Sequence, residues 1–512
     1  MMPLASTFSA TVEGIGAHRV TVEANVGPGL PGMHIVGLGD KAVGESRDRI
    51  RTAVANSTLP WPRTKIMVSL SPANLPKSGS QFDLAVALAV LASMDPRAER
   101  RLKRSLIVGE LGLGGQLRRV DGILQIILEA LKDIEHVIIP AENATEAALI
   151  GHPSVKIARS LTEAWQWATG ERELPGLETI THTVQPAFVP DFRDIVGQER
   201  ERYAMEVAAA GAHHVFMTGS PGSGKSMLAE RLPSILPDLS PQQVVEATAI
   251  HSISGNSTGE VIMQAPFVAP HPSLGRAALI GGGSGIPRPG AVSHAHHGVL
   301  FLDEVSEIDA HTLDSLRVPL EKGEVHLTRA RREVVYPADF QLVMAANPCR
   351  CGVDNAAKCT CSSADRARYL RNISGPLRDR VDIFLTTSSV GAVVTPSDAE
   401  VNESSATIAQ RVLAARDRAA YRWARAGLST STNARVPGAV LRRDFPANKE
   451  GMSVISKKLA DGQLTQRGVD RVLKLAWTVA DLGGVDKPRL AEVMDALDLR
   501  AKQEAGCWHE LA

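Results

Sequence analysis

Residues Gly219-Ser-Pro-Gly-Ser-Gly-Lys-Ser226 have the spacing G-x-x-x-x-G-K-[ST], which suits a loop that wraps phosphate. Gly219, Gly222 and Gly224 allow successive backbone N–H groups to turn inward, while Ser220, Pro221 and Ser223 complete the loop. The Lys225 ammonium would reach the β- and γ-phosphates of a nucleotide, and the Ser226 hydroxyl would ligate magnesium. ATP and Mg2+ are therefore the expected ligands. Further on, Gly298-Val-Leu-Phe-Leu-Asp-Glu304 is an apolar run ending in two carboxylates. Asp303 is placed to hold magnesium through water, and Glu304 to polarise an attacking water. Phe340-Gln-Leu-Val-Met-Ala-Ala-Asn347 is a third apolar run with a polar end. Asn347 could bond the γ-phosphate or the attacking water, although the following Pro348 would also suit a plain turn.

Directly after Asn347 come Cys349, Cys351, Cys359 and Cys361, spaced C-x-C-x7-C-x-C. Four thiolates on one loop suit tetrahedral zinc, although the C-x-C spacing is tighter than that of most zinc fingers. The alternative is four reduced thiols without metal. Cys507 stands apart from them. His294, His296 and His297 also form a close group, but their Gly- and Pro-rich setting fits a loop better than a metal site.

These residues need particular elements to hold them. His214–Thr218 is a short apolar strand before the Gly-rich loop, and Met227–Leu232 is a helix after it. The run from Asp191 to about Leu385 repeats strand, turn and helix, so it predicts a parallel sheet with crossover helices. Before it, Ile66–Leu70 and Val137–Pro140 read as strands and Asp83–Met94 as a buried helix. Beyond about Ser405 the periodicity is helical. The expected division is 1–170, a linker at 171–190, an ATPase core at 191–390 and a helical lid at 391–512. A chain of 512 residues is too long for a single core. Its 44% hydrophobic and 22% charged residues are those of an ordinary globular protein. Lys+Arg and Asp+Glu both total 56, so contact with a polyanion would need a local patch. There is no signal-peptide pattern and no apolar run of about 20 residues, which predicts a cytoplasmic protein without a membrane span.

Asp194-Ile-Val-Gly-Gln-Glu199, the phosphate loop, Asp303-Glu304, Asn347 and Ser374-Gly-Pro-Leu-Arg-Asp-Arg-Val-Asp382 stand in the order of AAA+ ATPases. With Pro287-Arg-Pro-Gly290 and Gly281-Gly-Gly283, the pattern resembles the magnesium-chelatase-like ATPases of the YifB/ComM type. The resemblance implies a Lon-protease-like α+β first domain, an AAA+ parallel-sheet core, a helical lid, and a ring that is usually a homohexamer. It makes Arg380 an arginine finger acting on a neighbouring subunit, where a guanidinium neutralises charge on the transferred phosphoryl group. Arg467, with Arg471 one turn away, would be a second sensor touching the γ-phosphate in cis. Lon-type hydrolysis needs a Ser–Lys pair, but Gln81 and Leu124 occupy the corresponding positions. Lys77, Ser78 and Ser80 offer only a shifted pair, so the first domain is expected to be catalytically inert.

Gly323–Tyr336 reads as a β-hairpin with Arg329, Arg331 and Arg332 around its turn. A solvated hairpin end would look the same. In a ring these tips would form a basic collar able to grip DNA phosphates without sequence preference. What the resemblance implies is a motor for DNA branch migration or helicase-like remodelling, in recombination or uptake of single-stranded or branched DNA. The alternative is a chelatase-like ATPase that remodels a protein partner.

Overall fold

The computed structural model describes residues 4–37, 41–75, 77, 79–179, 190–254, 259–283, 287–329, 332–353, 359–387 and 402–505. Three bodies follow one another along the chain.

The first is built on a seven-stranded mixed sheet. Its order is Gly32–Val36, Lys65–Ser71, Gly16–Gly27, Leu4–Glu13, Ser105–Ile107, His136–Pro140 and Val155–Ala158. The long Leu4–Glu13 and Gly16–Gly27 strands pair antiparallel, whereas Ser105–Ile107, His136–Pro140 and Val155–Ala158 run parallel. Every residue of the Asp83–Ala92 helix is buried, as its nearly unbroken apolar sequence predicts. The one charge in it, Asp83, is held by the Arg49 guanidinium at 2.6 Å. Leu174 and Leu177, from the segment expected as linker, are buried against this first body. Residues 180–189 lie outside the described residues.

The second body has five strands in the order Phe267–Val268, Val299–Leu302, Gln341–Ala346, Val215–Gly219 and Ile383–Thr387, all parallel. Three of these strands, Val299–Leu302, Gln341–Ala346 and Val215–Gly219, are buried at every residue. A parallel sheet covered on both faces demands continuous apolar runs, and that is why these strands lack alternation.

The third body is helical: Ser405–Arg425, Gly438–Arg443, Lys449–Ala460, Gln466–Leu482 and Leu490–Ala505. Ser404, Asn448 and Thr465 cap three of these helices by accepting backbone N–H bonds from Thr407, Gly451 and Gly468. Its Trp423, Val472 and Trp477 share one hydrophobic core with Ala208, Ile383 and Leu385 of the sheet body. A buried polar network crosses the same boundary. Asp382 takes bonds from Arg471 at 2.7 Å and from the His213 ring at 3.1 Å, and His213 also meets Thr478 at 2.7 Å. Arg471 and the His213 contact hold the Asp382 carboxyl well below its ordinary range despite complete burial, which pushes the other way. Contacts also join the first body to the second. Gln125 donates to the Ala249 carbonyl at 2.8 Å, and the Gly122 N–H to the Ser252 hydroxyl at 2.9 Å. Among the described residues no helix is long and apolar enough to cross a membrane.

Candidate active site

Three neighbouring parallel strands deliver the expected groups to one edge of the sheet. The Val215–Gly219 strand ends in the phosphate loop and has Gln341–Ala346, which leads to Asn347, on one side. Val299–Leu302, which leads to Asp303 and Glu304, lies one strand further out. The C-terminal edge of an open parallel sheet is where ligands bind in such folds.

Within the loop, Gly222 and Gly224 have φ of 77° and 86°, a left-handed conformation that only glycine adopts without strain. A Cβ on Gly219 would collide with Thr387 at the end of the adjoining strand. The buried Lys225 ammonium donates to the Gly219 and Ser220 carbonyls at 2.7 and 2.8 Å and to Asn347 Oδ1 at 3.2 Å. Ser226 Oγ donates to Asp303 Oδ2 at 2.9 Å. The two hard oxygen donors proposed for magnesium are thus already adjacent. Glu304 is exposed and has φ of 46°, an uncommon backbone for a residue with a Cβ. Its N–H donates to Asp303 Oδ1 at 2.8 Å. Such local strain clusters at functional sites.

Two further residues brace the loop. Gln198, from the Ile195-Val-Gly-Gln198 stretch and with φ of 53°, donates to the Ser223 carbonyl at 2.8 Å. Thr387 meets the Ser223 hydroxyl at 2.6 Å. Gln198 belongs to a recognisable motif, whereas nothing local marks Thr387, whose role comes from strand pairing across 164 residues.

Arg380 and Arg467 lie elsewhere. The Asp382 N–H bonds to the His214 carbonyl, just before the Val215–Gly219 strand begins. Two residues upstream, Arg380 is clasped by the Pro376 carbonyl at 2.6 Å and by the Glu321 carboxylate. A five-residue strand spans about 16 Å, so Arg380 stands at the end of the sheet opposite its own phosphate loop. Arg467 shares that end: it is mostly exposed and lies 3.6 Å from Asp379. This geometry sets it away from its own loop, where a cis contact was expected, while Arg471 is committed to the buried Asp382.

In the hairpin, Glu324–Arg329 pairs antiparallel with Arg332–Pro337, with Arg329 in register opposite Arg332. This register buries Val325, Val334 and Tyr336. Ala330 and Arg331 lie outside the described residues.

The four cysteines converge. Cys349 Sγ lies 3.1 Å from Cys351 Sγ and 3.5 Å from Cys359 Sγ, and all four sulfurs fall within 4.8 Å of one another. A tetrahedron with metal–sulfur bonds of ~2.3 Å has edges of about 3.8 Å, so the four sulfurs lie close enough together to share one metal ion. His296, His297 and Glu246 also cluster. There His296 Nδ1 accepts the Asp339 N–H at 3.0 Å, which leaves its proton on Nε2, facing Glu246. A protonated nitrogen is no metal ligand, so this trio is a hydrogen-bonded brace. Cys507 lies outside the described residues.

In the first body Leu124 is fully buried core, and Gln81 donates to the Ala10 carbonyl. Lys77 is held by the carbonyls of Pro72, Gly37 and Leu75, while Ser80 bonds Glu110. Ser78 lies outside the described residues. Neither Ser80 nor Lys77 turns to the other.

Residues 191–393 match the family described as magnesium chelatase, subunit ChlI. Residues 22–143 match that of subunit ChlI of Mg-chelatase, and 402–500 that of its C-terminal part. The chain is 46% identical to protein Rv2897c of Mycobacterium tuberculosis, over 98% of this chain and 99% of that protein. It is 37% identical to YifB of Escherichia coli, over 98% of this chain and 97% of that protein. Competence protein ComM of Haemophilus influenzae is also 37% identical, over 96% of this chain and 97% of its own. Together with the strand order and the loop geometry, these likenesses assign the chain to the YifB/ComM family of magnesium-chelatase-like AAA+ proteins.

Proposed function

We propose that the protein is an ATP-hydrolysing ring motor that acts on DNA. The observation that carries the ATPase reading is the joint approach of Lys225 to Asn347 and of Ser226 to Asp303 at one sheet edge. Magnesium, when bound, supplies positive charge to the phosphates, and Ser226 and Asp303 are the residues to hold it. Lys225 exchanges its carbonyl partners for phosphate oxygens as the loop closes. Glu304, exposed beside Asp303, takes the proton of the attacking water, and Asn347 orients that water or the γ-phosphate.

The ring reading follows from the position of Arg380. It cannot serve its own loop, so it acts as the finger for the next copy, and Arg467 is offered along the same edge. A closed ring, six copies in many motors of this class, gives every loop such a neighbour. Arg329, Arg331 and Arg332, carried by the hairpin, are then the residues that hold DNA by its phosphates. The competence name of one relative supports DNA uptake or recombination as the setting. The cysteine cluster holds a structural zinc, and the protein works in the cytoplasm.

The test is ATP turnover with and without single-stranded and branched DNA, comparing wild type with Arg331→Ala/Arg332→Ala. Stimulation by DNA that the double variant loses, at intact basal turnover, is expected. Absence of stimulation by any DNA would remove the nucleic-acid reading, leave the ATPase, and turn attention to a protein partner.

A further inference from the structure

The cysteine cluster is built into the nucleotide site from both of its arms. Its first arm leaves directly from Asn347: Pro348 alone separates that residue from Cys349. The arm turns at Gly352, whose N–H bonds back to the Cys349 carbonyl at 3.0 Å. Gly352 has φ of +68° and sits so close to the phosphate loop that a Cβ would lie 2.9 Å from the Pro221 ring. The second arm, Cys359 and Cys361, leads into the Ser363–Leu370 helix, capped by Ser362. Near the end of that helix the half-buried Tyr369 phenol lies against Asn347 and Ser306, with Glu304 and Glu307 close by. Just beyond it, Asn372 donates to the Ser306 and Ile308 carbonyls at 2.8 and 3.2 Å, fixing the helix to the segment after Glu304. The two arms therefore leave Asn347, meet at the sulfurs and return to Asn347 from its other side.

We propose that a zinc ion held by Cys349, Cys351, Cys359 and Cys361 positions Asn347 and Pro221, so that metal occupancy sets the rate of ATP hydrolysis. The proposal rests on the reading of Asn347 as the γ-phosphate contact. Without metal the four sulfurs lose the common centre that closes the arms. Asn347 then keeps its strand, Tyr369 and the Lys225 bond at 3.2 Å but loses the brace of the closed arms, and Pro221 loses its backing at Gly352. Gly352 and Tyr369 are positioning residues: Gly352 acts through Pro221 and Tyr369 through Asn347.

The experiment uses the full chain. Metal analysis of the wild type should find one zinc per chain, and Co2+ in its place should give thiolate charge-transfer bands. Those bands should shift when a non-hydrolysable ATP analogue is added, a response that a remote structural metal would not give. Cys351→Ser/Cys359→Ser should lose the metal and about tenfold or more in kcat, the scale seen when groups supporting a functional residue are removed. Tyr369→Phe should keep the zinc and lower kcat with KM unchanged. Gly352→Ala, which adds only the Cβ that meets Pro221, should keep the zinc and raise the KM for ATP. A wild type that binds neither zinc nor Co2+ would overturn the metal. Bound zinc with silent Co2+ bands and full turnover in the metal-free variant would overturn the coupling. Zinc-loaded wild type without ATP turnover would instead overturn the reading of the nucleotide site.

Discussion

Replacing Asn347 by alanine separates binding from catalysis in a way the geometry can scale. Lys225 bonds the Gly219 and Ser220 carbonyls as well as Asn347 Oδ1, which at 3.2 Å is the longest of these three contacts. The two carbonyls, at 2.7 and 2.8 Å, remain in the variant, so the lysine stays oriented and ATP affinity should change by less than about threefold. What is lost is one hydrogen bond to a charged group in the transition state, about 1.5–3 kcal/mol. At 1.36 kcal/mol per factor of ten, kcat should fall about 10- to 150-fold. Asn347→Asp should be worse, because a carboxylate at that distance pairs with the ammonium and draws it away from phosphate. Steady-state kcat and KM, together with equilibrium binding of a fluorescent ATP analogue, give the required separation. Lost affinity at unchanged kcat would mean that Asn347 contributes only uniform binding and makes no bond specific to the transition state.

Gly219→Ala should abolish nucleotide binding while leaving the fold, since the new Cβ collides with Thr387 and forces the loop from its strand; retained binding would show that the loop yields freely. Asp382→Ala strands Arg471 and His213 and should cost about 3–5 kcal/mol, as breaking a buried ion pair does. Denaturant unfolding that moves by less than 1 kcal/mol would make this bridge between sheet and lid unimportant. The third case is a pH effect. Burial pushes the His214 ring down to about 3, and its Nδ1 accepts the Leu342 N–H at 3.0 Å. Below about pH 6.5 the unfolded chain takes a proton that the folded chain refuses, so stability falls with falling pH by about 1.4 kcal/mol per unit until near pH 3. His214→Asn keeps an acceptor but takes no proton, and should flatten that slope in unfolding curves between pH 6 and 4. An unchanged slope would show that His214 is not the group responsible.

Much of this was legible in the sequence because the informative residues are near one another along the chain. The phosphate loop, its strand and its helix form one local unit, and the fully buried strands before Asp303 and Asn347 show as unbroken apolar runs. The helix at Asp83–Ala92 and the strands at Lys65–Ser71 and His136–Pro140 were visible for the same reason. Long-range choices were not. Arg467 and Arg471 lie one turn apart on a single helix, and only the position of Asp382 decides that Arg471 becomes the ion-pair partner of that buried carboxylate. Thr387 acquires its place from strand order, which no local pattern states. The hairpin was readable, but its register was not, and a shift of one residue exchanges the buried and exposed faces. Leu174 and Leu177 look like linker because prolines surround them, yet they complete the first core.

The most direct test of the ring motor mixes two inactive proteins. Lys225→Ala removes the lysine from the loop but leaves Arg380 to serve a neighbour, and Arg380→Ala does the reverse. Each variant alone should turn over little ATP beside the wild type. Mixed and allowed to reassemble, they should regain turnover, because some interfaces then pair an intact loop with an intact finger. No recovery in an assembly shown to contain both variants would contradict an arginine supplied between subunits, and with it the ring mechanism.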